Sequence, residues 1–383
     1  MFRLFAIVPL VHLYVVLRLV PDLPWGLAGQ VAGWTWFAAS CLLLPLAMLS
    51  RRTPGRRADA LAWTGFILMG AFSFLWVLTV LRDLVLIAGG ALSLLPGLSW
   101  LDADLGRFGA ASAAAIPVIS ALATLIGLYN ARKPAALREV AIPIDGLPRA
   151  LAGFRIVQIS DIHVGPTIKR GYLERIVQSV NGLKADIIAV TGDLVDGTVS
   201  HLAADVAPLQ KLSARHGAYF VTGNHEYYSG VEGWVEYLRE LGLSVLQNQH
   251  EVLRHDGVMV VVAGVTDFSA EHFYPEQRSD PARAIAGAPE NAGVKLLLAH
   301  QPRSATAARA AGFDVQLSGH THGGQFLPWN FLVRLQQPFT AGLARLGKLW
   351  VYTSRGTGYW GPPLRLGAPS EITLLTLVAA PTA

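Results

Sequence analysis

Five short polar motifs carry the chemistry of this chain: Asp161-Ile-His163, Gly192-Asp193, Gly223-Asn224-His225-Glu226, Ala299-His300 and Gly319-His320-Thr321-His322. They supply carboxylate, amide oxygen and imidazole, the donors that hard and borderline divalent metals take. Each motif follows an apolar run: Ile156–Ile159, Ile187–Thr191, Tyr219–Thr222, Leu296–Leu298 and Val315–Leu317. Runs of that kind read as buried parallel strands. The polar groups therefore fall at strand carboxyl ends, where open α/β sheets build their sites. The pattern reads as a dinuclear metal enzyme.

The elements that must position these groups alternate along the second two-thirds of the chain. Arg170–Gly182 has helical spacing in Leu173, Ile176, Val177 and Val180, and it connects the first two motif strands. Val231–Leu241 and Pro302–Ala311 read as further helices, and Leu137–Ile144 as an edge strand before the turn Asp145-Gly146-Leu147-Pro148. After His322, Leu349–Thr353 and Glu371–Val378 read as antiparallel β, so the expected sheet is of mixed direction.

Composition separates the first third. Of 31 Lys and Arg, residues 1–134 hold 10, against 5 of 26 Asp and Glu; the remaining 21 of each balance. The formal charge of +5 thus belongs to the hydrophobic part, and the soluble part has no basic stripe for nucleic acid. The single cysteine, Cys41, excludes an intramolecular disulfide framework. Phe2–Val20, Val31–Leu49, Ala60–Leu81 and Phe108–Tyr129 each supply the roughly 20 apolar residues a membrane span needs. Leu84–Leu98 reads as a continuation of the third span or an interfacial segment. Three spans follow the first without a small-x-small cleavage site, which argues against a signal peptide. Arg82-Asp83 reads as an interfacial pair with the arginine snorkelling.

Arginines set the expected orientation. Arg51, Arg52, Arg56 and Arg57 crowd the loop after the second span, and Arg3 and Arg132-Lys133 fall on the same side of a four-span arrangement. Positive loops stay inside, so the expectation is a multi-pass protein of the cell (inner) membrane with its catalytic domain cytoplasmic. Residues 1–133 form the anchor, 134–152 a linker with the edge strand, and 153–380 the catalytic domain.

The ordered set Asp-x-His, Gly-Asp, Gly-Asn-His-Glu, His, Gly-His-x-His resembles the calcineurin-like metallophosphoesterase superfamily over roughly residues 150–380. Gly319–Gln325 and the tail from Ser354-Arg355-Gly356-Thr357-Gly358 to Pro363-Leu364-Arg365 resemble its bacterial membrane-associated branch, which includes transmembrane proteins with a metallophosphoesterase domain. The resemblance implies an α/β fold of two mixed β-sheets in a sandwich flanked by helices, here joined to an α-helical anchor of about four spans. It implies two divalent ions (Mn, Fe or Zn), one on Asp161, His163 and His322 and the other on Asn224, His300 and His320, with Asp193 between them. Such a pair lowers the pKa of a bridging water and clamps both oxygens of an in-line displacement. His225 takes the general-acid role, and Arg355 and Arg365 are candidates to hold phosphate oxygens, with ordinary ion-pairing as the alternative.

Other groups get plainer readings. Glu226 either orients His225 or is a solvated turn carboxylate. Asp196 and Asp267 follow strands and are read as ordinary turn carboxylates, with support of the metal ligands as the alternative. His201 and His272 are read as surface or core residues, with a place in a substrate cleft as the alternative. Phe326–Lys348 reads as a loop and helix covering the core, with an apolar, cationic lip for an amphiphilic substrate as the alternative. The function these features imply is hydrolysis of a phosphodiester or pyrophosphate on a lipid-linked or nucleotide-lipid substrate at a phospholipid membrane. UDP-2,3-diacylglucosamine in lipid A biosynthesis is one candidate within that branch. The rival is a membrane protein whose metal domain senses a phosphorylated ligand without turnover.

Overall fold

The apolar runs of the first third fold as long helices, as their length and composition favour, even with Pro9, Pro45 and Pro117 inside them. The computed structural model describes residues 2–50, 53 and 55–381, with residues 2–6 described by their backbone alone. Arg51 and Arg52, and the side chain of Arg3, which enter the orientation argument, lie outside what is described. The helices are α1 (Phe2–Leu19), α2 (Gly26–Ser50), α3 (Arg56–Ser93) and α4 (Leu101–Arg132). Among the described residues three of them, α2, α3 and α4, are long and apolar enough to cross a membrane. That is one fewer than the four spans expected; α1 is helical over 18 residues but is not in that set. Leu84–Ser93 is the continuation of α3, which runs 38 residues unbroken through Gly89 and Gly90. At 1.5 Å per residue α3 is about 57 Å long, well beyond the roughly 30 Å of a hydrocarbon core.

Arg82 and Asp83 overturn the snorkelling expectation. Both are buried in this helical unit, at 3% and 8% exposure. Arg82 donates to the Asp22 carboxylate, to Ser112 Oγ at 3.1 Å, and to the carbonyls of Arg18 at 3.1 Å and Gly109 at 3.2 Å. Asp83 accepts from Arg18 Nε and Tyr14 Oη, each at 2.8 Å. A charge in such surroundings persists because every lone pair and proton has a partner. The pattern of spans alone cannot show those partners, which come from α1, α4 and the turn at Asp22.

Residues 131–360 and 365–383 form a separate unit built on two six-stranded sheets. In chain order the strands are β1 (Ala136–Ile144), β2 (Arg155–Ile159), β3 (Ile187–Val190), β4 (Ala218–Phe220), β5 (Ser244–Val245), β6 (Gln249–His255), β7 (Val258–Gly264), β8 (Val294–Leu298), β9 (Val315–Ser318), β10 (Gly342–Leu346), β11 (Leu349–Thr353) and β12 (Glu371–Ala379). The first sheet has the order β1-β12-β2-β3-β4-β5, the second β10-β11-β9-β8-β7-β6. All five motif strands are present: β2, β3 and β4 run parallel in the first sheet, β8 and β9 parallel in the second. β11 and β12, expected to be antiparallel, each run antiparallel to one neighbour and parallel to the other. β1 is the edge strand the sequence indicates.

Ile156, Ile187 and Tyr219 of the first sheet meet Val260, Leu296, Leu298 and Leu317 of the second in one buried layer. Sheets that pack face to face must share such a layer. The other face of the first sheet is covered by α5 (Arg170–Gly182), α6 (Val199–Val206) and, beyond the short α7 (Asn224–Tyr228), α8 (Val231–Glu240). Trp234 of α8 is fully buried and donates its indole N–H to the Gly197 carbonyl at 2.9 Å.

Removal of the buried cation should cost far more than loss of a surface pair. Arg82→Ala is expected to destabilise the helical unit by about 3–5 kcal/mol by leaving carboxylates without their partner. Arg107→Ala, which breaks an exposed pair with Asp104, should cost under about 1 kcal/mol. Thermal unfolding in detergent reads the difference, and equal midpoints for the two variants would contradict the buried network.

Candidate active site

Every motif lands just past its strand, and in three of the five the backbone is strained. Asp161, His163, Asp193, His320 and His322 all have positive φ, between 50° and 70°. For residues with a Cβ that conformation costs about 1–2 kcal/mol each. Bonds between the turns hold it: Asp161 N–H donates to the Gly192 carbonyl at 3.0 Å, and His163 N–H to the Asp193 carbonyl at 3.1 Å. His320 N–H donates to both oxygens of Asp161, at 2.9 and 3.0 Å. Gly223 lets two turns close on each other, since a Cβ there would sit 2.2 Å from Asp193 Oδ1.

Three groups converge in the fold: Asp161, His163 and His322; His163, Asp193 and His225; and Asp193, His300 and His320. Within each, the ligand atoms lie within 4.8 Å of one another. His163 Nε2 faces His322 Nε2 at 3.1 Å, and His320 Nδ1 faces His300 Nε2 at 3.2 Å. Imidazole nitrogens aimed at each other suit a shared cation. His300 Nδ1 donates to the Thr191 carbonyl at 2.7 Å, which turns its Nε2 toward Asp193 Oδ2, 3.2 Å away. Burial works against the charged ring, but Asp193 and Asp161 raise His300 well above its ordinary value. Asn224 Oδ1 is buried without a hydrogen-bond partner, as an oxygen meant for a metal would be. The donor set fits two divalent cations.

The electrostatics agree. Burial, the His300 charge and Arg303 hold the His320 imidazole down at about 3; burial and the charges of His163 and Arg365 hold His322 well below its ordinary value. Both are therefore neutral and free to coordinate. Burial works against ionising Asp193, but His300 and His225 outweigh it and keep the carboxylate well below its usual range. His225 loses some basicity to burial and regains more from Asp193 and Asp196, so it is raised to about 9.

Two carboxylates turn out to be part of the site. Asp196 Oδ1 lies 2.5 Å from His225 Nδ1 and 3.3 Å from His163 Nδ1, so one oxygen orients both rings. Glu226 is not solvated and does not orient His225. It is fully buried and accepts from the backbone N–H of Asp193 at 3.0 Å, Leu194 at 2.7 Å and Gly223 at 2.6 Å. In the sequence nothing separates either from a turn acid, because their roles depend on which loop faces them. Asp267 is buried too, bonded to Ser269 and Gln301.

Neither expected phosphate clamp is free for substrate. Arg365 is 1% exposed and donates to the carbonyls of His322, Arg355 and Ala368, with its Nη2 3.2 Å from His322 Nδ1. It holds the wall behind a metal ligand. Arg355 pairs with Glu371 at 2.9 Å. A cation the sequence did not single out, Arg303, lies over the Phe268 ring at 5.1 Å, and its charge reaches His320.

A family model described as calcineurin-like phosphoesterase matches residues 154–324. The transmembrane protein with metallophosphoesterase domain of Danio rerio is 42% identical over 271 residues, covering 69% of this chain and 62% of that protein. An uncharacterized metallophosphoesterase of Aquifex aeolicus is 31% identical over 261 residues, covering 67% of this chain and 97% of that one. The chain thus spans 62% of the length of the vertebrate relative but nearly all of the bacterial one. Among solved structures, the 5'-nucleotidase precursor of Thermus thermophilus aligns with a TM-score of 0.36 and 15% identity, over 58% of this chain and 55% of that one.

Gly223→Ala tests the close approach of the turns. The added methyl must displace the Asp193 carboxylate, so metal bound per chain, measured by mass spectrometry after purification with Mn, should fall by about half or more. Unchanged metal content would remove Asp193 from the shared position.

Proposed function

This chain belongs to the calcineurin-like metallophosphoesterase family, in its membrane-associated branch, and we propose that it is a membrane-anchored, dinuclear metal-dependent phosphoesterase acting on a phosphodiester or pyrophosphate. The observation that carries this reading is the place of Asp193, which lies within 4.0 Å of His163, His225 and His300 and so joins two groups of ligands. Asp161, His163 and His322 would hold one ion, and Asn224, His300 and His320 the other. When bound, two such ions activate water and neutralise charge on the phosphoryl oxygens.

The protein's own groups do the rest. His225 donates Nδ1–H to Asp196, which leaves Nε2 as the atom that hands a proton to the leaving oxygen. Held cationic between two carboxylates, it stays loaded near neutral pH. Asp196 fixes the ring through that hydrogen bond. Arg303 adds positive charge on the His320 side, where negative charge develops in the transition state.

A lipid-linked or nucleotide-lipid substrate, with UDP-2,3-diacylglucosamine one candidate, is the finer part of the proposal. Leu327, Phe331, Leu332 and Leu335 are exposed in one short segment beside Arg334. An apolar patch with a cation next to it suits an acyl chain with an anionic head. Placement of the catalytic domain on the cytoplasmic side of the cell (inner) membrane rests on Arg56, Arg57, Arg132 and Lys133 as inside-facing charges.

Two measurements test these points. In detergent with Mn, hydrolysis of bis-p-nitrophenyl phosphate should vanish in Asp193→Ala. In His225→Ala it should fall about 10²–10⁴-fold for alkyl leaving groups and less for nitrophenolate, which needs no proton. Full activity in Asp193→Ala would end the mechanism, and metal binding without turnover of any ester would favour ligand sensing. For orientation, an alkaline phosphatase fused after the last residue should be inactive in a bacterial host; an active fusion would put the domain outside.

A further inference from the structure

Water-exposed aromatic rings are expensive, and this catalytic unit concentrates them in one place. Among the described residues after 130, five aromatic side chains are counted as exposed: Tyr228, Phe268, Phe273, Phe331 and Trp360. Three of them gather around the general acid. The Tyr228 ring centroid lies 5.2 Å from that of His225 and the Trp360 centroid 5.7 Å, with interplanar angles of 72° and 76°. Phe273 continues the group, 5.6 Å from Tyr228, and packs on buried Tyr227 at 5.6 Å. Tyr228 is 63% exposed, Phe273 42% and Trp360 44%, so all three rings are open to solvent.

Their places are set by the groups that set the site. Tyr228 ends the short helix that begins at Asn224, about one turn from that residue. Trp360 is pinned through its backbone: its N–H donates to Gln325 Oε1 at 2.9 Å and its carbonyl accepts from Gln325 Nε2 at 2.9 Å. The two rings are thus fixed at their bases and open at their faces. Both stand steeply to the imidazole, so neither covers it by stacking, and the acid stays reachable.

On the reading that His225 protonates the leaving oxygen, whatever that oxygen carries must lie against these rings. We propose that Tyr228, Phe273 and Trp360 form a stacking vestibule beside His225 that takes a flat aromatic group, such as a nucleobase, on the leaving part of the substrate. The composition favours a flat occupant over an acyl chain. Rings supply broad, polarisable faces that stack on a π-system regardless of its hydrogen-bonding edge, and the cluster of exposed leucines, Leu327, Leu332 and Leu335, belongs to a different segment. A nucleotide-lipid would use both surfaces, its base here and its chain there.

The test compares ligands that share a phosphate and differ in the flat group, and it needs no turnover. Binding of adenosine 5'-monophosphate and ribose 5-phosphate to the Mn-loaded full-length protein in detergent is measured by calorimetry, with dodecyl phosphate alongside. The wild type should bind the nucleotide roughly tenfold or more tighter than the sugar phosphate. Trp360→Leu and Tyr228→Leu should close most of that gap while ribose 5-phosphate affinity holds, and Tyr228→Phe should keep it. Equal affinities in the wild type, or a gap that survives both leucine variants, would overturn the vestibule. Dodecyl phosphate losing affinity in parallel with the nucleotide in both leucine variants would show that the rings take any apolar group, and would overturn a flat occupant. A gap that behaves as expected in a protein that cleaves no ester would support the vestibule while refuting the hydrolase reading.

Discussion

One carboxylate ties this site together, and the chain bends out of its comfortable backbone conformation to place it. Asp193 follows Gly192 at the end of β3, sits at φ 51°, and reaches His163, His225 and His300 at once. Four of the other ligands share the same left-handed backbone. At about 1–2 kcal/mol each, five such residues would cost several kcal/mol, a large part of a domain's net stability. What offsets that cost is the lattice of bonds between turns. Glu226 alone satisfies three backbone N–H groups around Asp193 and Gly223.

Those turns come from two sheets, which makes the site a property of the sandwich rather than of any strand. β2, β3 and β4 bring Asp161, His163, Asp193, Asn224 and His225; β8 and β9 bring His300, His320 and His322. The relative position of the two sets is fixed by the shared layer of Ile156, Ile187, Leu296, Leu298 and Leu317. Interiors of that density do not slide. Gln158 adds a polar tie across the same layer, donating to Thr191 Oγ1 at 2.8 Å within its own sheet and to the Ser318 carbonyl at 2.9 Å in the other. Ligand geometry on one sheet is therefore sensitive to core volume between the sheets.

How much of this was legible in the sequence follows a physical line. The residues that converge in the three clusters were legible because a metal site demands particular donor types, and strand ends demand particular neighbours; both demands are local. The motif strands were legible for the same reason, as short β-branched runs. Asp196, Glu226 and Arg365 were not, because burial and partner identity are decided by which distant loops meet. A turn carboxylate and a site carboxylate have the same local sequence. Arg82 and Asp83 failed for that reason too, since two other helices and a turn supply their partners. The direction of β11 and β12 was half visible: β-propensity marks a strand but says nothing of both neighbours.

His225 shows why the less legible residues matter to chemistry. Its elevated basicity comes from two carboxylates, Asp193 and Asp196, working against burial. A cation on Asp193 would neutralise one of them, because a bound ion is the largest local charge in its site. Asp196 does not belong to any ligand group and keeps its charge for the ring. It also bonds His163, so the orientation of the acid and of a ligand ring depend on the same oxygen. On that reading Asp196 supports the charged ring through Nδ1, which leaves the Nε2 proton for transfer. The acid stays loaded without drawing on the group that must hold the ions.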